Sequence, residues 1–159
     1  MTRAFVGLGS NIGEPRSQLQ AAMKELDELP DTRAVAASAL YRSAPLGYLE
    51  QPEFLNAVVE LETRLAPEAL LDGLQAIEKR HGRERPFGGA PRTLDLDLLL
   101  YGDATLATPR LNLPHPRMHE RAFVLMPLAE IAPRATIPGR GTARALLAAC
   151  GGQRVERID

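Results

Sequence analysis

The segment that decides the fold is residues 82–101, GRERPFGGAPRTLDLDLLLY. Its first half is rich in Gly and Pro and carries three arginines, Arg83, Arg85 and Arg92. Its second half, residues 93–101, alternates between Leu and polar residues and then becomes wholly apolar. This pattern predicts a basic loop that leads into a β-strand, and the strand runs into the core.

The predicted strand carries two carboxylates on one face. Side chains two residues apart on a strand share a face, so Asp95 and Asp97 lie together while Leu94, Leu96 and Leu98 point the other way. Adjacent carboxylates beside a buried run need a cation or a hydrogen-bond donor. Mg²⁺ is often held by one or two carboxylates plus substrate phosphates, and arginine suits bidentate contact with phosphate. These residues have two equally good interpretations. One is metal-assisted phosphoryl chemistry, and the other is a solvated strand face beside a basic loop.

Length and composition indicate one soluble domain over residues 1–159. The charged fraction of 25% and hydrophobic fraction of 45% are ordinary for a globular protein, and this length is enough to bury one core. Cys150 is the single cysteine, so no intrachain disulfide is possible and a reducing compartment is expected. No apolar run is long enough to span a membrane. We therefore expect a cytoplasmic protein without a membrane partner.

The charge is small overall but unevenly distributed. The net charge is −1, which gives no reason to expect a nucleic-acid partner. Residues 79–121 contain eight Lys/Arg and five Asp/Glu, so this segment is positive and the rest of the chain is negative. A local positive field is typical of a site for an anionic small molecule.

Hydrophobic periodicity predicts an alternation of strands and helices. The predicted core elements are a strand at 4–9, a helix at 14–29, a strand at 33–41, a strand at 54–63, a helix at 67–80 and the strand at 93–101. Short helices at 123–131 and 143–149 and a weak strand at 155–158 follow. The order βαββαβ with a C-terminal extension predicts an α+β, ferredoxin-like fold with a mainly antiparallel sheet and helices packed on it.

Two features have more than one interpretation. Gly7, Gly9 and Gly13 are spaced one residue too far for a dinucleotide-binding fingerprint, which favours a tight strand-to-helix turn over a phosphate cradle. On the second helix, Gln75 and Glu78 lie on the flank of the apolar stripe, where such residues are usually solvated. The long loop at 42–52 is of the kind that is often functional.

Several chemistries lack their motifs. The sequence has no phosphate-binding loop of the GxxxxGK[ST] type, and Lys24 and Lys79 are its only lysines. No Cys/His spacing matches a zinc site, and neither Ser10 nor Cys150 has a nucleophile signature. Positioning and electrostatics remain, which is what phosphoryl transfer requires.

The matches to a known family extend over nearly the whole chain. They are Gly9-Ser10-Asn11, Tyr41-Arg42, Pro45-Leu46-Gly47, Gln51-Pro52, Phe54-Leu55-Asn56, Gly82-Arg83, Pro91-Arg92-Thr93-Leu94-Asp95-Leu96-Asp97, Leu113-Pro114-His115 and Arg121-x-Phe123. With these elements in order, the chain resembles the 6-hydroxymethyl-7,8-dihydropterin pyrophosphokinases of folate biosynthesis. Its arginine loop is shorter than the Trp-containing loop of some relatives, Ala90 stands where Gly is usual, and Pro116 rather than an aromatic residue follows His115.

The resemblance implies an ATP-dependent diphosphotransferase that moves the β- and γ-phosphates of ATP to the pterin hydroxymethyl oxygen and releases AMP. It implies two Mg²⁺ held by Asp95 and Asp97, with Arg83 and Arg92 as catalytic arginines. The implied ATP-binding residues are Gln75, Glu78, Arg85, Arg92, Leu98, Arg110, Asn112, His115 and Arg121. The implied pterin-binding residues are Ser43, Ala44, Leu46, Phe54, Asn56, Asp95 and Phe123, with the two phenylalanines stacking on the flat ring.

The expected partners are therefore the small molecules ATP and 6-hydroxymethyl-7,8-dihydropterin, bound by a monomer. Two other functions compete with this one. A ferredoxin-like module that senses a ligand without catalysis needs no acidic metal pair. A metal-dependent phosphodiesterase or nuclease would use the aspartate pair, but a nucleic-acid substrate calls for a basic stripe and steeply salt-dependent binding.

Overall fold

The structure is a computed structural model that describes residues 1–44, 50–82 and 93–158. Its strands are β1 (Thr2–Ser10), β2 (Thr32–Ala37), β3 (Tyr41–Ser43), β4 (Phe54–Thr63), β5 (Asp95–Tyr101), β6 (Leu106–Ala107), β7 (Asn112–Leu113), β8 (Thr136–Ile137), β9 (Gly141–Thr142) and β10 (Val155–Arg157). Its α-helices are α1 (Pro15–Asp27), α2 (Pro67–Arg80), α3 (Ala122–Ile131) and α4 (Ala143–Ala148), and a short 3₁₀-helix covers Met118–Glu120.

The main sheet has the strand order β10-β3-β4-β1-β5, and β2 also pairs with β4. Every strand pair in it is antiparallel. The first strand is therefore central, between the third and fourth strands of the βαββαβ unit, as in a ferredoxin-like fold. The predicted α+β architecture with its C-terminal extension is confirmed.

Helices cover both faces of the main sheet. One core cluster contains Leu19, Leu26, Leu70, Leu74 and Ile77 from α1 and α2, packed against the sheet. The opposite cluster brings α3 and α4 against the other face. Because side chains alternate along a strand, β4 contributes to both clusters, and β5 does the same.

The strand predicted at 33–41 is interrupted, and this is the clearest difference from the sequence-based prediction. Ser38 N–H donates to the Val58 carbonyl at 2.9 Å, and the Ser38 hydroxyl accepts from Val58 N–H at 2.9 Å. The hydroxyl takes the place of a backbone carbonyl, so the ladder breaks and β2 and β3 become separate strands. Glu130 of α3 then accepts hydrogen bonds from Ala39 N–H at 3.0 Å and from the Tyr41 hydroxyl at 2.6 Å.

Smaller differences concern the ends of elements. β1 extends to Ser10, α1 ends at Asp27, and β5 begins at Asp95. β4 and α2 have the predicted bounds. Within the parts of the chain that the structure describes, no helix is both long and apolar enough to cross a membrane.

Candidate active site

The two aspartates of β5 lie in rows that cross three strands. The register pairs Gly9 of β1 with Asn56 on one side and Asp95 on the other. The next row on the same face pairs Gly7 with Val58 and Asp97. Residues directly opposite in antiparallel strands share a face, so Asn56 and the two carboxylates line one surface of the sheet.

Glycine keeps the middle of the first row open. Neighbouring strands are about 4.8 Å apart, which puts the backbones of Asn56 and Asp95 about 10 Å apart with only Gly9 between them. A Cβ atom built on Gly9 would lie 3.6 Å from Asn56 Oδ1 and 3.9 Å from Phe54 Cδ1. The row therefore forms a slot whose base is the backbone of Gly9. We call this space, which lies above Gly9 and between Asn56 and Asp95, the Gly9 slot.

Gly7 and Gly9 lie inside β1, in agreement with the strand predicted at 4–9, and the strand continues one residue further, to Ser10. Gly13, with a φ of 70°, is the member of the trio that adopts the left-handed turn conformation.

Asn56 is buried and its amide is held in one orientation. Its Nδ2 donates to the Ser43 hydroxyl at 2.7 Å and also lies 3.4 Å from the Tyr41 carbonyl. These bonds occupy the amide nitrogen and leave Oδ1 directed at the Gly9 slot. Asn56 can therefore accept hydrogen bonds from a ligand in the slot.

Two aromatic side chains border this face. Phe54 begins β4 and lies on the same face as Asn56. Phe123 is in the first turn of α3, which packs on that face, and the Arg121 guanidinium lies 5.6 Å from the Phe123 ring centroid. Upstream of β4, Asn11 Nδ2 donates to Gln51 Oε1 at 2.7 Å and to the Pro52 carbonyl at 3.0 Å, which fixes the chain as it enters Phe54.

His115 is hydrogen-bonded to β5, and its imidazole is kept neutral. The backbone N–H of His115 donates to the Leu99 carbonyl at 2.9 Å. Burial, followed by the positive charge of Arg121, lowers the pKa of His115 to about 4, although Asp95 acts in the opposite direction. The backbone N–H of Arg117 donates to His115 Nδ1 at 3.2 Å, so the single ring proton of the neutral imidazole is on Nε2.

The outer edge of β5 lies between α2 and β7. Arg110 donates to Gln75 Oε1 at 3.1 Å and forms an ion pair with Asp72. Asn112 is exposed in β7, and the Leu98 side chain is buried in β5. The implied ATP-binding residues that the structure describes on α2, β5 and the 110–112 segment therefore collect along this edge.

The two flank residues of α2 differ in environment. Gln75 is exposed, as expected from its position on the helix. The expectation that Glu78 is solvated is wrong, because Glu78 is 5% exposed and its Oε2 accepts a hydrogen bond from Leu96 N–H at 2.8 Å. The sequence alone does not reveal this burial because the bond depends on where the edge strand lies.

Comparison with known proteins identifies the family. A model of the family described as 7,8-dihydro-6-hydroxymethylpterin-pyrophosphokinase (HPPK) matches residues 5–133. The chain belongs to the HPPK family. It is 53% identical over 156 residues to the 2-amino-4-hydroxy-6-hydroxymethyldihydropteridine pyrophosphokinase of Pseudomonas aeruginosa, covering 98% of this chain and 96% of that protein. It is 46% identical to the same-named protein of Methylorubrum extorquens over the full length of both.

Solved structures support the HPPK fold. The crystal structure of Plasmodium falciparum HPPK-DHPS wild type with pteroate matches with a TM-score of 0.74 at 14% identity, covering 93% of this chain and 42% of that chain. The same protein with pterin and p-hydroxybenzoate matches with a TM-score of 0.71 at 15% identity, covering 92% and 42%. The chain thus spans less than half of these HPPK-DHPS structures, and at this identity the likeness concerns the fold.

The aspartate pair suits Mg²⁺ as HPPK chemistry requires it. Asp95 and Asp97 supply two carboxylates from one strand face, and no group of three or more His, Cys, Asp or Glu in residues 1–44, 50–82 and 93–158 could enclose a metal ion. Mg²⁺ prefers such partial coordination, because it retains waters and takes its other ligands from substrate phosphates. The donor set therefore fits Mg²⁺ bound together with ATP.

Some predicted site residues cannot be placed. Arg83, Arg85, Arg92 and Leu46 lie outside the residues that the structure describes. Ala44 follows β3 and is exposed. The Gly9 slot was missed by sequence reasoning, since its signal, two glycines at alternate positions of a strand, becomes informative only once the register with β4 and β5 is known.

Proposed function

We propose that the protein transfers the pyrophosphoryl group of ATP to the hydroxymethyl oxygen of 6-hydroxymethyl-7,8-dihydropterin in folate biosynthesis, giving the pterin diphosphate and AMP. The observation that carries this proposal is the Asn56–Gly9–Asp95 row, with Asp97 beside it on the same face. It joins a slot for a flat polar ring to a carboxylate pair suited to metal-bound phosphates.

The pterin would occupy the Gly9 slot. A pterin is flat and carries N–H donors along one edge, and the slot offers acceptors at Asn56 Oδ1 and Asp95. Phe54 and Phe123 would stack on its two faces. The backbone at Ser43, Ala44 and Leu46 would bind the edge of the ring.

Two Mg²⁺ would be held by Asp95 and Asp97, and they would supply neutralisation of the charge on the transferred phosphates. Arg83 and Arg92 would act as the catalytic arginines that meet developing negative charge. Neutral His115 would donate its Nε2–H to a phosphate oxygen, because its Nδ1 already accepts from Arg117.

ATP would bind along the outer edge of β5. The proposed nucleotide-binding residues are Gln75, Arg85, Arg92, Leu98, Arg110, Asn112, His115 and Arg121. Glu78, which the resemblance also implies for ATP, accepts a hydrogen bond from Leu96 N–H and is considered separately below. Because Leu98 has a buried side chain, it would contribute through its backbone. We further propose that the protein acts as a cytoplasmic monomer.

The test is the nucleotide product. The protein is incubated with Mg²⁺, ATP and 6-hydroxymethyl-7,8-dihydropterin, and nucleotides are separated by chromatography. We expect AMP that forms only when the pterin is present. ADP would contradict pyrophosphoryl transfer, and binding of both ligands without any product would favour a ligand-sensing module.

A matched pair of variants tests the metal role. Asp97→Ala should reduce AMP formation by about 10³-fold or more, because it removes half of the carboxylate pair that holds the metal ions. Asp103→Ala changes the same residue type at an exposed turn just after β5 and should retain activity. Circular dichroism establishes that both variants are folded. Undiminished turnover in the Asp97 variant would contradict the assignment.

A further inference from the structure

We propose that Glu78 is a positioning residue that fixes the backbone between the two metal-binding aspartates from the outer edge of β5. The inference rests on the proposed function, because it assigns Asp95 and Asp97 to the metal. It gives Glu78 a role distinct from a direct contact with ATP.

The first step concerns the edge of β5. This strand is last in the sheet and pairs with β1 on one side only. In an antiparallel pair, the backbone groups of successive residues point alternately toward the partner strand and away from it. Leu96 N–H points away from β1, because it donates to Glu78 Oε2 at 2.8 Å.

The second step concerns the residues on either side. Since Leu96 faces outward, the alternation directs the backbone groups of Asp95 and Asp97 toward β1, opposite Gly9 and Gly7 in the register. β1 therefore holds the backbone at both aspartates, and Glu78 holds the residue between them from the opposite side. The segment that carries the carboxylate pair is fixed at three consecutive positions.

The third step concerns the cost of burying Glu78. The residue is 5% exposed on a helix whose neighbouring positions Leu74 and Ile77 are fully buried in the core. A buried carboxylate loses hydration and is retained only where hydrogen bonds or charges compensate. Leu96 N–H is one such partner, and a bond from a backbone amide to a carboxylate is stronger than a neutral one.

The final step separates positioning from ligand binding. Leu96 turns its side chain into the core below the sheet, while the aspartates occupy the opposite face. Loss of the Glu78 acceptor would loosen the strand between Asp95 and Asp97, and this should weaken the binding of Mg²⁺. The Gln75–Arg110 pair, which lies farther along the edge, would keep its geometry and its contribution to nucleotide binding.

The experiment compares Glu78→Ala with Glu78→Gln. Glutamine keeps a side-chain oxygen that can accept from Leu96 N–H, whereas alanine removes it. Glu68→Ala, on the exposed first turn of the same helix, is the matched control. Three quantities are measured: hydrogen exchange of the Leu96 amide by NMR, the Mg²⁺ concentration for half-maximal AMP formation, and the affinity for a non-hydrolysable ATP analogue at saturating Mg²⁺.

For Glu78→Ala we expect faster Leu96 exchange and a higher Mg²⁺ requirement, each by about 10- to 100-fold, which corresponds to loss of one charge-assisted hydrogen bond. Affinity for the ATP analogue should remain close to that of the unmodified protein. Glu68→Ala should resemble the unmodified protein in all three measurements. Glu78→Gln keeps an acceptor but loses the charge, so its Leu96 exchange and Mg²⁺ requirement should lie between those of the unmodified protein and Glu78→Ala, with analogue affinity retained.

Two results would overturn the inference. One is unchanged Leu96 exchange in Glu78→Ala. The other is a Glu78→Gln protein that loses analogue affinity while Leu96 stays protected, which would make Glu78 a nucleotide ligand. If Glu78→Ala does not fold, the Glu78→Gln result still decides. If the unmodified protein forms no AMP, the proposed function fails, and the exchange measurement still tests the link to Leu96.

Discussion

The partly buried, neutral state of His115 makes the stability of the protein depend on pH in a defined window. The unfolded chain protonates this imidazole near its ordinary pKa of 6.5, whereas the folded protein does so only near pH 4. Its contribution to stability is therefore fully present above pH 6.5 and is lost as the pH falls toward 4. A shift of this size corresponds to about 3 kcal/mol in the free energy of unfolding.

The assay is urea unfolding of the metal-free protein between pH 7 and pH 4, followed by circular dichroism. Carboxylates also titrate at the acid end of this range, so the informative quantity is the difference between the unmodified protein and His115→Gln, which cannot titrate at this position. As the pH falls from 6.5 to 4, we expect the unmodified protein to lose about 3 kcal/mol more of its free energy of unfolding than His115→Gln loses.

His119→Gln is the matched control, because it removes a histidine from the same segment while leaving His115 in place. In that variant, the free energy of unfolding should still fall with decreasing pH by the amount that His115 contributes. Parallel pH dependences for the unmodified protein and His115→Gln would refute the reasoning, since they would mean that His115 has the same pKa in the folded and unfolded states.

Two further substitutions test the slot and the break between β2 and β3. Gly9→Ala should leave the fold stable, since its methyl group would meet Asn56 Oδ1 at an ordinary 3.6 Å, but it should weaken pterin binding about tenfold or more by filling the slot. Calorimetric titration with the pterin and with an ATP analogue checks this, and equal pterin affinity would exclude the slot as the binding site. Burial and the hydrogen bond to Glu130 raise the pKa of Tyr41 to about 12. Tyr41→Phe removes that 2.6 Å bond and should lower the free energy of unfolding by about 1–3 kcal/mol in urea titrations, whereas unchanged stability would show that the bond contributes nothing.

Local sequence signals predicted much of the fold. Pro67 and the apolar stripe of α2 fixed that helix at both ends, and the alternation in β4 fixed that strand. The alternation of Leu and Asp in β5 predicted that Asp95 and Asp97 lie on one face, and the register with β1 confirms this. These signals sufficed because each depends on residues close together in the chain.

The missed features depend on contacts between distant segments. The break at Ser38 needs Val58 and Glu130, neither of which is near it in sequence. The burial of Glu78 needs the outward-facing amide of Leu96. Helical periodicity reports which side of a helix is apolar, but not whether a neighbouring strand offers a donor at its edge.

The central place of β1 has a consequence for how the protein folds. Among the strands of this sheet β1 comes first in the chain, yet its two partners, β4 and β5, follow much later. Pairings between such distant segments are slow to form, because loop-closure entropy is lost before they are made. β1 therefore cannot form its pairs in the sheet until β4 has been synthesised. The Asn56–Gly9–Asp95 row needs all three strands and is completed only when β5 pairs with β1, so the pterin site proposed there would form only after that pairing.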